Sequence, residues 1–321
     1  MKAKNKKIKP LVFALLTSLF VVCLIGYLIA YIPARMTEEH TNDMVELYFQ
    51  ETGYSIEHFM DTWESRIIEY KIDSQAGYTI PIYYICPQGI YENKTIILVH
   101  WHEGNHAAMY PISEIFLEQG WNVVIPDQRA HGKNTASTVT FGYLESFDLE
   151  QVVDFVKGKA NQQPIGALGQ SMGASTIAYY SGSEHAYEYL DFAIIDSPFS
   201  GMYHEINWQI KKAKIPLPAK AITSLGSVFC KLIYGYSFSD VDIVEQARTN
   251  RIPTLLMHSR SDQKCPYYMS EEILSAIPHE SKKLITYENL DHLFAFWEEQ
   301  DRYTTEVFSF IEEYLDLKMV R

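Results

Sequence analysis

The chain has 321 residues, 47% of them hydrophobic and 21% charged, an ordinary globular composition with room for one large domain. Its formal net charge is −13. Lys2, Lys4, Lys6, Lys7 and Lys9 precede every acidic residue, and the chain beyond them carries 22 Lys+Arg against 40 Asp+Glu, which argues against a nucleic-acid partner. Of the 4 cysteines only Cys86, Cys230 and Cys265 lie outside an apolar N-terminal run, so no disulfide framework can form and burial as small apolar side chains is expected.

From Leu11 to Ile32 the chain is uncharged and mostly apolar. As a helix this run is about 33 Å long, enough to cross a bilayer. It exceeds the apolar core of a signal peptide, no small-x-small cleavage site follows it, and Phe20-Val21-Val22 before Cys23 is unlike a lipoprotein processing site. The expectation is a cytoplasmic basic segment at 1–10 and a retained transmembrane anchor at 11–32. Lysines before the run, with only Arg35 and then Glu38 and Glu39 after it, place the remainder outside the membrane.

Residues 33–63 read as a helical stalk or flap, with Gly53 breaking the helix-like stretch Thr41–Trp63. The remainder, 64–321, alternates. Short apolar, β-branched runs predict strands at Arg66–Ile72, Thr79–Ile85, Thr95–Val99, Trp121–Ile125, Ile165–Leu168, Phe192–Ile195, Thr254–Met257 and Leu284–Tyr287. Helical patterns fall at Ile112–Gln119, Asp148–Ala160, Met172–Tyr180, Tyr267–Ile277 and Arg302–Leu317, with Asp148 as an N-cap. This rhythm predicts an α/β fold, a mostly parallel eight-stranded sheet with helices on both faces. The long interval before Thr254 predicts a small helical cap at about 201–245, over the carboxyl ends of the strands. Its lysines 211, 212, 214 and 220 read either as a solvated face or as a membrane- or anion-facing patch.

Gly169-Gln170-Ser171-Met172-Gly173 is a G-x-S-x-G pattern between a strand-like and a helix-like run. Such a strand-to-helix turn needs glycines because neighbouring backbone comes too close for side chains, and it leaves the serine hydroxyl exposed. A serine nucleophile needs a base and an acid to orient that base. Asp262 follows the seventh predicted strand and His292 the eighth, so Ser171, Asp262 and His292 fall in three strand-end loops; Asp196 after the sixth strand is an alternative acid. His100, His102 and His106 form an H-x-H-x-x-x-H pattern that would suit a metal only with converging ligands. No metal or other cofactor is expected.

From Thr79 to Leu317 the chain resembles the α/β-hydrolase family of serine esterases, lipases and peptidases. The order Ser, Asp, His is that family's order. His100-Trp101-His102-Glu103-Gly104-Asn105 is similar to its His-Gly oxyanion loop, and Asp127-Gln128-Arg129-Ala130-His131-Gly132 to its Asp-x-Arg-Gly-His-Gly segment, with Trp101 and Ala130 standing where glycines are usual. Asp196-Ser197-Pro198-Phe199 adds to the likeness. The resemblance implies Ser171 as nucleophile, His292 as base, Asp262 as orienting acid, and the backbone N–H groups of Met172 and His102 as the oxyanion hole. It also implies a small-molecule acyl substrate, most simply a carboxylic ester. An acyltransferase, a peptidase or a non-catalytic binding protein would use the same fold.

Overall fold

The computed structural model describes residues 4–88, 93–159 and 164–319. Its centre is a sheet of β1 (Ile67–Asp73), β2 (Thr79–Ile85), β3 (Thr95–Val99), β4 (Asn122–Pro126), β5 (Ile165–Gln170), β6 (Phe192–Asp196), β7 (Thr254–Ser259) and β8 (Lys282–Tyr287). The order is β1-β2-β4-β3-β5-β6-β7-β8. β2 runs antiparallel to both its neighbours, β1 and β4, whereas β4, β3 and β5 through β8 are mutually parallel. The parallel strands β3 to β7 are buried along their whole length, which is why they read as continuous apolar runs rather than alternating ones.

Two hydrophobic cores fill the two faces. One joins Val99, Ala167 and Ile195 to α5 (Tyr143–Gly158) and α6 (Met172–Tyr180). The other joins Leu98, Leu168 and Ile194 to α4 (Tyr110–Glu118) and the C-terminal α13 (Gln300–Met319) through Phe116, Tyr303 and Phe310. Alternate residues of a strand point to opposite faces, so each inner strand feeds both cores.

The helix expected to begin at Asp148 begins five residues earlier. Glu145 accepts from Gly142 N (2.9 Å) and thereby caps α5, while Asp148 lies inside the helix, buried against Tyr78 and Arg129. Burial, against the pull of those two partners, pushes Asp148 up to about 7.

At the N-terminus α1 spans Lys4–Tyr31, followed by α2 (Glu38–Thr52) and α3 (Ile56–Trp63), with Gly53 at φ 72° ending α2. Several side chains of the 11–32 run lie outside the described residues, and among the described residues no helix is long and apolar enough to cross a membrane. The C-terminal half of α1 packs on the interval between β6 and β7. That interval holds α8 (Met202–Lys212), α9 (Ala219–Tyr234) and the short α10 (Ile243–Ala247). A Cβ on Gly26 would strike Phe229 and Leu225 of α9, and one on Gly226 would strike Ile29 of α1, so the two helices approach closely through glycines.

Residues 33–63 lie against the strand-end loops. Pro33 O accepts from His102 Nε2 (3.1 Å), Ala34 O from Val139 N (3.1 Å), and Asn42 Oδ1 from Asn105 Nδ2 (2.7 Å). Val45 and Phe49 of α2 pack on Trp101 and Leu293.

Candidate active site

The turn from β5 into α6 is tight. A Cβ on Gly169 would run into the backbone of Gly173, and one on Gly173 into the carbonyl oxygens of Val99 and His100. Ser171 between them is held at φ 53°, ψ −113°, a conformation that costs about 1–3 kcal/mol for a side-chain-bearing residue. The surrounding packing enforces it: Ser171 N donates to Asp196 O (2.9 Å) and Ser171 O accepts from Ser175 N (2.9 Å).

His292 follows β8 and brings Nε2 to 2.9 Å from Ser171 Oγ, while its Nδ1 lies 2.6 Å from Asp262 Oδ2. With the carboxylate fixing the proton on Nδ1, Nε2 is left to accept from the serine hydroxyl. Asp262, in the loop after β7, is fully buried in its side chain. Burial alone would raise its pKa, but the His292 charge and hydrogen bonds from His258 and His292 outweigh it and hold the carboxyl well below the usual range. Its other oxygen accepts from Lys264 N (2.8 Å) and Cys265 N (2.9 Å).

The alternative acid is occupied elsewhere. Asp196 accepts from Gln170 Nε2 (3.1 Å), Ser197 Oγ (3.0 Å) and Tyr303 OH (3.1 Å), and burial raises its pKa. It ties β5, β6 and α13 together beneath the site.

The three histidines after β3 diverge. His100 donates from Nδ1 to Trp101 O (2.8 Å) and accepts at Nε2 from Gln128 N (3.0 Å), and burial pushes it down to about 4. His106 Nδ1 pairs with Asp127 (2.9 Å), and His102 donates to Pro33 O and stacks on Phe141. Among the described residues no group of three His, Cys, Asp or Glu side chains is placed to hold a metal.

Met172 opens α6, so its N–H has no partner within the helix. The N–H of His102 likewise meets no acceptor among the described residues. Trp101, in the glycine position of the loop, is buried with Val45, Phe49, Ala108 and Leu293, and its ring lies over Gly104, where an added Cβ would come within 3.1 Å of it. It joins the covering segment to the His292 loop. Ala130 takes φ 59°, so the left-handed backbone of a glycine is kept without the glycine.

Sequence pattern alone did not single out three neighbours. His258, at the end of β7, sits 3.1 Å from Asp262 Oδ2 through Nε2 and accepts from Ser270 Oγ (2.7 Å) at Nδ1. Cys265 is buried within reach of Ser171. Glu205 of α8 is buried near Asp262, Lys264 and Cys265; Oε1 accepts from Gln209 Nε2 (2.6 Å), the Cys265 thiol lies within reach of the carboxyl, and burial, against these partners, pushes it up to about 7. α8 also clasps the acid loop, since Trp208 Nε1 and Lys212 Nζ donate to Gln263 O (3.1 and 3.2 Å) and Gln209 Nε2 to Lys264 O (2.9 Å). A hollow of about 630 Å³ between α2 and Asn105 has a lining that includes none of Ser171, Asp262 or His292.

Residues 92–235 match the family model described as serine aminopeptidase, S33, a span that includes Ser171 and ends before Asp262 and His292. The chain is 28% identical over 313 residues to the uncharacterized protein YqkD of Bacillus subtilis (strain 168), covering 97% of this chain and 99% of that one. It is 26% identical to the uncharacterized protein YfhR of Escherichia coli (strain K12) over 259 residues, 78% of this chain and 82% of the other. Among solved structures it is similar to the Pyrococcus furiosus esterase Pf2001 (TM-score 0.63, 21% identity, 81% of this chain and 96% of that one). It is also similar to the esterase EaEST of Exiguobacterium antarcticum (TM-score 0.58, 18% identity, 76% and 100%).

Proposed function

We propose that this chain, which has the α/β-hydrolase fold of its structural neighbours and matches a serine aminopeptidase family model over residues 92–235, is a serine hydrolase that cleaves carboxylic esters through an acyl-enzyme. The observation that carries this reading is the continuous relay from Ser171 Oγ through His292 (2.9 Å) to Asp262 (2.6 Å). As Ser171 Oγ bonds to the acyl carbon, its proton passes to His292 Nε2, and Asp262 stabilises the imidazolium. The carbonyl oxygen becomes an oxyanion held by the N–H groups of Met172 and His102, donors of a kind each worth about 3 to 4 kcal/mol of barrier. Collapse breaks the ester C–O bond, and His292 gives its proton to the leaving alkoxide. Water then attacks the acyl carbon, His292 takes its proton, and Ser171 leaves as the hydroxyl.

A fluorophosphonate probe tests the assignment. It should label the intact protein and fail on Ser171→Ala; equal labelling of both would overturn it.

A second reading, aminopeptidase, is favoured by the serine aminopeptidase family model that residues 92–235 match, with Glu205, buried near Cys265 and Asp262, as the candidate partner of a substrate ammonium. Glu205→Gln should then lower turnover of aminoacyl substrates while leaving simple esters unaffected. Equal loss on both substrate types would remove it.

The Leu11–Ile32 run supports a single-pass anchor with the N-terminus cytoplasmic and the hydrolase domain extracytoplasmic. Carbonate-washed membranes should retain the protein, and protease added to intact cells should digest the domain; release or full protection would refute the anchor or its orientation.

A further inference from the structure

We propose that the outer face of the cap, built on α9 and the segment leading into it, docks on an anionic lipid bilayer surface beside α1. This inference rests on the anchor reading.

Charge selects the partner. From residue 206 to residue 239 there is no Asp or Glu, in a chain with 40 of them, and Lys211, Lys212, Lys214 and Lys220 fall in that interval, while Lys231 within it pairs with Asp240 just beyond it (3.3 Å). On the same stretch Ile215, Leu217, Val228, Leu232 and Ile233 are exposed, Leu232 to 75% and Val228 to 55%. Val228 and Leu232 stand one helical turn apart on the side of α9 opposite its buried Thr223, Ser227 and Cys230. A basic helix with a bare apolar stripe is the pattern of an element lying in the headgroup layer.

Position agrees with charge. α9 packs on Gly26 and Ile29 of α1. Gly26 precedes Tyr31, the last residue of that helix, by only about 8 Å of helix axis. Tyr27 and Tyr31 are stacked at the same level (5.1 Å), with Arg35 over the Tyr31 ring, and tyrosines are enriched where a transmembrane helix leaves the hydrocarbon. A helix in contact with α1 at that level cannot stand clear of the membrane surface. Because α8 packs on α9 and is bonded to Gln263 and Lys264, the Asp262 loop is held close to that surface.

The test uses the full chain, also carrying Ser171→Ala so that the outcome does not depend on catalysis, in phosphatidylcholine vesicles with and without phosphatidylglycerol. Tryptophan is introduced singly by Leu232→Trp, Val228→Trp or, as an exposed control on α5, Phe147→Trp. Brominated-chain lipids should quench the added emission at 232 and 228 and not at 147. Replacing Lys211, Lys214 and Lys220 by glutamine should weaken the quenching only where phosphatidylglycerol is present. Added emission at 232 that behaves like that at 147, in protein retained after a carbonate wash, overturns the docking and leaves the anchor intact. Protein lost in the wash overturns the anchor. Emission shielded from both lipid bromine and aqueous acrylamide shows a protein covering the face and overturns the lipid assignment.

Discussion

His258 and His292 share one oxygen of Asp262: Nε2 of the first lies 3.1 Å, and Nδ1 of the second 2.6 Å, from Oδ2. His258 also donates to Cys265 O (2.8 Å), so one buried ring fixes both the carboxylate and the loop that carries it. Removing that ring leaves Asp262 with its two loop amides and His292, free to rotate about them. His258→Ala should lower kcat roughly tenfold with KM unchanged, the scale seen when a supporting partner of a site residue is lost. It should also displace the acidic limb of the kcat/KM pH profile. His258→Gln, which keeps a donor, should restore part of the rate. An unaltered pH profile in His258→Ala would reduce this residue to packing.

Asp262→Asn tests the orienting role separately from the nucleophile. The amide would present a donor to His292 Nδ1 and favour the wrong tautomer, so kcat should fall by about 10⁴ while the fold is kept. Steady-state kinetics together with circular dichroism would check both halves. A fall below tenfold would return the acid role to another group.

Glu205 makes stability depend on pH. Its folded pKa is raised, to about 7, so the native state tolerates the protonated form and is penalised as pH rises above the ordinary carboxylate range and through 7. Glu205→Gln should therefore be near neutral in effect at pH 5 and stabilising by as much as about 3 kcal/mol at pH 8. Denaturant titrations at the two pH values decide it. A stability difference that shrinks with rising pH would show that the carboxylate is paired.

Ala130 occupies φ 59°, where a Cβ costs about 1–2 kcal/mol. Ala130→Gly recovers that strain and gives back part of it as unfolded-state entropy, for a net gain of up to about 1 kcal/mol and a raised melting temperature. A lowered melting temperature would mean that the buried methyl group contributes more by packing than it costs in backbone strain.

Much of the fold is legible in the sequence because buried parallel strands are uniform apolar runs, and each falls within two residues of its expected place, β5 and β7 ending two residues later and β8 starting two residues earlier. Ser171, Asp262 and His292, linked by chain order in the sequence, come within hydrogen-bonding reach of one another because three loops at one sheet edge bring distant positions together. The start of α5 is not legible in the sequence because Asp148 looks like a cap by type, whereas its partners, Tyr78 and Arg129, lie far away in sequence. His258 was hidden for the same reason. Within the strand-like run Thr254-Leu255-Leu256-Met257-His258 it looks like a strand residue, and only the return of the 262–265 loop gives it a carboxylate. The role of Trp101 depended on α2, whose docking onto the site has no local signature.

Trimming the chain at residue 33 to obtain a water-soluble enzyme would remove more than a tail. The groove around Gly226, Phe229 and Leu225 that receives Gly26 and Ile29 would be opened to water along the length of α9. Such a fragment would carry a freshly cut sticky seam next to the residues that clasp the Asp262 loop. Its self-association and altered turnover would then report on the shortened molecule rather than on the enzyme.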